Sequence, residues 1–91
     1  MEIAPTTGSW RRDPEVVTTE LERELVLLHP ATRSMFTLNE TGMVVWSFID
    51  EGPGAAVDAV VAAFDVDREV AVADVADLVD GLARAGLIVE V

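Results

Sequence analysis

Few residues in this chain have the types and spacing that do chemistry. His29 is the sole histidine and stands at the end of an apolar run, just before Pro30. A nucleophilic triad needs a base held against a Ser, Thr or Cys and oriented by a third group. One histidine at a turn, with no cysteine anywhere, offers no such set, and His29 is expected to be a turn residue. Asp74, Asp77 and Asp80 recur at three-residue spacing. Such a carboxylate row can bind a metal, move protons, attract cations or simply face water. It has no His or Cys companion and no EF-hand spacing, so a solvated helix face or a negative rim for basic residues of a peptide is expected. The "GPG" at 52–54 lacks the pattern of a phosphate-cradling loop. No catalytic residue, metal or cofactor is therefore expected, and binding is the class to pursue.

The elements that would position a binding site read as follows. Residues 15–20, "EVVTTE", are short and β-branched, which predicts a strand. Residues 24–29, "ELVLLH", predict a second. Their almost unbroken apolar character suggests burial on both faces, as in the middle of three strands. "PATR" is the turn, and 34–38, "SMFTL", form a third strand. Ser34, Phe36 and Leu38 share one face, while Met35 and Thr37 share the other. The meander leaves the third strand at an edge. Asn39 is a candidate N-cap for a helix to about residue 50, with Glu40 at the positive end of its dipole. Met43, Trp46, Val45 and Ile49 are its candidate inward residues. Gly42 costs ~1 kcal/mol of helix propensity relative to Ala and so signals a close approach by another backbone. "EGPG" breaks this helix.

A second helix is expected over about 55–64, with Val57, Val60, Val61 and Phe64 on one face. A third, capped by Asp67, is expected to run to about residue 85. It repeats the spacing with Val75, Leu78, Val79 and Leu82, and Gly86 follows as the terminating glycine. "LIVEV" at 87–91 is a short strand or an extended tail. Residues 1–12 have no period and read as a flexible arm before a domain spanning 13–91. Trp10, the arm's one large apolar group, either covers an end of the core or meets a partner. The result is an α+β domain of three antiparallel strands and three helices, an arrangement that also suits a winged helix.

Composition narrows the partners. Ninety-one residues make one domain. The net charge is −11, and all six basic residues are Arg. Such a charge opposes nucleic-acid phosphates and favours basic or amphipathic partners. No signal-like segment opens the chain and no apolar run reaches membrane-spanning length. A cytoplasmic protein acting on neither membrane nor nucleic acid is expected. A winged-helix DNA regulator is the rival, but Glu69, Asp74, Asp77 and Asp80 lie between Arg68 and Arg84 on its would-be recognition helix. A self-associating scaffold that uses the same strand edge is a third reading.

The run "VLLHPATRSMFTLNETGMVVWSFIDEG", followed by "DVDREVAVADVADLVDGLARAGLI", closely resembles the PqqD-like family. The carrying residues are Leu38-Asn39-Glu40-Thr41-Gly42, Trp46, Asp74-Val75 and Leu82-Ala83-Arg84-Ala85-Gly86-Leu87, within a match over roughly 14–91. The resemblance implies a RiPP recognition element, a non-catalytic winged-helix-like domain that binds the leader of a ribosomally made precursor peptide. In that family the leader adds a strand to the edge of the third strand, and its side chains enter a groove against the third helix. By position the edge is Arg33, Ser34, Met35, Phe36, Thr37 and Leu38. The helix wall is Val75, Leu78, Val79 and Leu82, with Asp74 and Asp77 as a possible electrostatic rim. The implied partners are the leader and a downstream enzyme, either a lasso-peptide leader peptidase or a radical-SAM enzyme as in pyrroloquinoline quinone biosynthesis. The aromatic pair frequent in the third strand of lasso-type members is Met35-Phe36 here.

Overall fold

Residues 25–38 form the centre of the fold. In the computed structural model, which describes residues 9–90, five strands and three helices follow in the order β1 (Trp10–Arg12), β2 (Val17–Glu20), β3 (Leu25–His29), β4 (Ser34–Leu38), α1 (Glu40–Phe48), α2 (Pro53–Phe64), α3 (Arg68–Arg84) and β5 (Ile88–Glu90). β2, β3 and β4 make an antiparallel sheet with β3 in the middle. Its registers pair Leu27 with Thr18 and Phe36, and Leu28 with Val17 and Met35. Burial on both faces of β3 is not observed. Leu27 and His29 are buried, but Leu28 is exposed and Val26 half-exposed. Among the described residues the helices cover one face of the sheet and leave Val17, Leu28 and Met35 exposed on the other.

The β3–β4 turn closes on a hydrogen bond from the Arg33 N–H to the His29 carbonyl at 2.7 Å. Arg33 adopts a left-handed φ of 63° to make the reversal, a conformation few non-glycine residues take. β4 then runs into α1 through Asn39, whose side-chain oxygen accepts the Gly42 N–H at 2.9 Å, as an N-cap should. Gly42 does mark a close approach, but by a side chain. A Cβ there would lie 3.0 Å from Leu38 Cβ, so its absence lets Leu38 fold back under the first turn. Val45, Trp46 and Ile49 enter the core and Met43 is half-buried.

A 3-10 turn at Ile49–Glu51 and Gly52 at φ 104° redirect the chain. α2 starts at Pro53, two residues earlier than expected, because proline suits the first helical position. α3 begins at Arg68, and Asp67 sits at its N-cap without making a side-chain cap bond. Its end is a Schellman motif: Leu87 N–H donates to the Leu82 carbonyl, and Gly86 N–H, at φ 75°, to that of Ala83.

The stretch expected to be a flexible arm over 1–12 is met only in its last residues, since 1–8 lie outside the described ones. There, Trp10–Arg12 form a strand paired antiparallel with β5. Asp13 N–H continues the pairing to the Leu87 carbonyl. Trp10 packs against the core. The Arg12 backbone and guanidinium both donate to the Asp50 carboxylate, and the guanidinium lies 5.9 Å from the Trp46 ring centroid. The ion pair is well exposed and so adds at most ~1 kcal/mol. Strand pairing and the packing of Trp10 hold this clasp more than charge does.

His29 is not a free turn residue. Its Nε2 donates to Asp13 Oδ2 at 3.1 Å, tying β3 to the link between β1 and β2. The Asp13 carboxyl is held below its ordinary value of 3.8, first by the Glu15 backbone N–H and then, against some desolvation, by His29. A lowered pKa contributes stability that is complete above 3.8 and is lost as the pH falls through the lowered value. The melting-temperature gap between the wild type and Asp13→Asn should therefore be full near neutrality and close in acid. Asn39→Ala should cost about 1 kcal/mol in denaturant melts at any pH.

Candidate functional site: a strand edge beside a groove

β4 is bonded to β3 along its whole length, Ser34 opposite His29 through Leu38 opposite Leu25. Its other edge has no strand among the described residues. Among the described residues, the two strands outside the sheet, β1 and β5, pair with each other instead. β2 has an open edge as well, but all four of its residues are exposed and Glu20 closes its end. An inward or terminal charge of that kind blunts an edge. β4 carries only Arg33, just before its start.

A groove of about 420 Å³ opens next to β4. That is near the low end of the roughly 300–1,000 Å³ typical of ligand clefts, enough for a few peptide side chains. Its apolar lining is Phe36, Leu38, Val45 and Leu78, and Asn39, Thr41 and Gly42 close one end. Asp74 and Asp77 stand on its α3 side. Phe36 lies against α3 at Gly81, where a Cβ would already touch the ring at 3.4 Å. This glycine, like Thr41 and Val45, was not among the residues expected at the site. A mid-helix glycine, which costs ~1 kcal/mol relative to Ala, was the available signal.

The expected edge residues are brought together: Phe36 packs against α3 at Gly81, Leu38 tucks under α1 at Gly42, Met35 faces outward, and exposed Thr37 borders the groove. The expected helix wall divides. Leu78 lines the groove, whereas Val75, Val79 and Leu82 have no exposed surface and belong to the core. The reason is α3's position: its i, i+4, i+7 stripe of Val75, Val79 and Leu82 points straight at the other elements, and only the flank carrying Leu78 reaches the groove. The acidic row divides too. Asp80 pairs with Arg84 at 3.1 Å, while Asp74 and Asp77 are exposed and in no ion pair among the described residues. No group of three or more His, Cys, Asp or Glu among the described residues is placed to hold a metal.

Residues 24–88 match the family model described as coenzyme PQQ synthesis protein D (PqqD). The chain belongs to the PqqD family. No curated protein matches it. Among solved structures, this PqqD-family chain is similar to TbiB1 in complex with the TbiA(beta) leader peptide. The two are 34% identical with a TM-score of 0.76, over 86% of this chain and 93% of that one. A lasso peptide synthetase B1 complexed with the leader peptide shares the fold at a TM-score of 0.76 and 23% identity, over 89% of this chain and 98% of that one.

The division of the helix wall separates stability from binding. Val79→Asp places an uncompensated charge in the core at a cost of ~3–5 kcal/mol and should leave little folded protein by circular dichroism. Leu78→Asp should keep a cooperative melt, because its head group can reach water.

Proposed function

We propose that this protein is a non-catalytic RiPP recognition element. It binds the leader of a ribosomally synthesised precursor by adding it as a strand to the outer edge of β4, with leader side chains in the groove against α3. It then delivers the precursor to a processing enzyme, a lasso-peptide leader peptidase. The observation that carries this reading is the unpaired β4 edge lying beside an apolar groove. The similarity to TbiB1, solved with a leader peptide, supports it. The family match keeps a second reading in view, a PqqD-type chaperone for a radical-SAM enzyme.

Magnitudes decide which contacts matter. Added ladder hydrogen bonds bring ~0.5–1.5 kcal/mol each, net. Ordering a disordered leader costs ~2–5 kcal/mol or more. These roughly cancel, so affinity must come from apolar anchors, at ~1.5–3 kcal/mol for each fully buried side chain. The groove offers half-buried Phe36 and Leu78 for that purpose, over a floor of buried Leu38 and Val45. Unpaired Asp74 and Asp77 would attract a basic leader residue and make binding salt-dependent.

The same charges disfavour DNA as the partner, since α3 presents carboxylates where a recognition helix needs cations. No helix among the described residues is long and apolar enough to cross a membrane. A cytoplasmic setting, where precursor peptides are made, fits this role.

The test is a calorimetric titration with synthetic lasso-precursor leaders, beginning with the TbiA(beta) leader with which the similar TbiB1 was solved. Wild type should bind in the micromolar to nanomolar range, ~−8 to −12 kcal/mol. Leu78→Asp should weaken binding by about 10–100-fold, one anchor's worth. Equal affinities for the two proteins would reject the groove.

A further inference from the structure

Charge is unevenly placed along the open edge of β4, and strand pairing by itself gives no reason for it. At the Leu38 end the sheet meets Glu20, Glu22, Glu24 and Glu40, all exposed, with Arg23 the one cation among them. A second hollow, of about 510 Å³, lies there, lined by Leu21, Glu22, Arg23, Glu24, Asn39 and Glu40. Asn39 borders both this hollow and the groove, so the two adjoin. Gly81 of α3 lies at Phe36, which puts Asp77 and Asp74, about one and two turns earlier, toward the same Leu38 end.

The Ser34 end differs. Arg33 stands there, exposed and in no ion pair among the described residues. Arg12, Arg68 and Arg84 each hold a carboxylate instead. Asp13 is occupied by His29, and Glu15 precedes β2, on the far side of β3. Arg33 also holds φ at 63°, where glycine or asparagine is the less costly choice. The turn itself does not require a guanidinium.

We propose that Arg33 is a specificity-determining residue that takes a carboxylate of the leader, so that the edge reads the order of charges along its peptide. The inference rests on the leader-binding reading and adds a direction and a register to it. The sheet is antiparallel throughout, and antiparallel pairing is the commoner kind. Such a strand brings its N-terminal end to Leu38 and its C-terminal end to Arg33. It carries a basic residue first, whose stem covers exposed Leu21 while its head meets the carboxylates. Apolar anchors for the groove follow. An Asp or Glu comes last, bound by two parallel N–H groups of the guanidinium. Arg33 to Asn39 spans ~20 Å of extended chain, so the two leader charges stand about six residues apart. That span exceeds the ~8 Å screening length at physiological salt, and each end acts on its own. Attraction at one exposed pair raises affinity by about 5-fold at most. The reversed order also sets like charges together at both ends, and that repulsion does most of the sorting.

The test is a charge scan. Each residue of a leader that binds wild type in the titration above is replaced in turn by Lys and by Glu. The panel is titrated against wild type, Arg33→Gln, Arg33→Glu and the double variant Asp74→Lys with Asp77→Lys, each first shown to melt cooperatively. One leader position should favour Glu over Lys by at least 10-fold in wild type. Arg33→Gln should erase that preference and Arg33→Glu should invert it. The double variant should invert the opposite preference at a position about six residues nearer the leader's N-terminus. Both preferences should shrink in high salt. Preferences that no Arg33 variant moves overturn the proposal, as does an Arg33-coupled position lying N-terminal to the one coupled to Asp74 and Asp77. A wild type that binds no leader is a separate result, and removes the leader reading itself and this inference with it.

Discussion

The antiparallel pairing of Trp10–Arg12 with Ile88–Glu90 determines what the rest of the protein can do. A three-stranded sheet has two unsatisfied edges, which proteins commonly cover or blunt. Here the two spare strands satisfy each other. Asp13 extends the pairing to Leu87 and anchors it to β3 through His29, and Arg12 fastens it to Asp50 in the 3-10 turn after α1. The clasp holds both termini of the described chain away from β4, so the edge beside the groove stays unfilled among the described residues.

The groove depends on a second constraint, the tight passage from β4 into α1. Asn39 caps the helix immediately after Leu38, and the missing Cβ of Gly42 allows Leu38 to tuck beneath the first turn. α1 therefore closes one end of the groove instead of passing across it. On the far side Gly81 leaves room for the tip of the Phe36 ring against α3. Two glycines that weaken their helices thus set the width and end of the cleft. Propensity is given up where a side chain must come close.

Most of the central architecture could be read from residues alone, because it follows strong local signals. Alternation in "SMFTL", the Asn39 cap and the i, i+3, i+4 stripes of α2 and α3 each specify one element. Contacts distant in sequence were less legible. "WRR" has no alternation and becomes a strand only because "IVE", nearly eighty positions later, offers it a partner. His29 looked like turn punctuation because Asp13 is sixteen positions away. The continuous apolar run of β3 suggested two covered faces, since composition cannot separate a buried face from an exposed apolar one. The helix wall was overextended for a related reason: helical spacing shows which residues share a side, but not that Val75, Val79 and Leu82 face the core while Leu78 alone turns to the cleft.

Amide hydrogen exchange along the three sheet strands, with and without leader peptide, tests the unfilled edge most directly. If the leader completes the sheet at β4, the amides of Ser34–Leu38 that do not bond to β3 gain strong protection, while those on the open edge of β2 are unchanged. Protection appearing at β2 or along the β1–β5 clasp, or outward β4 amides already protected in the free protein, would contradict it.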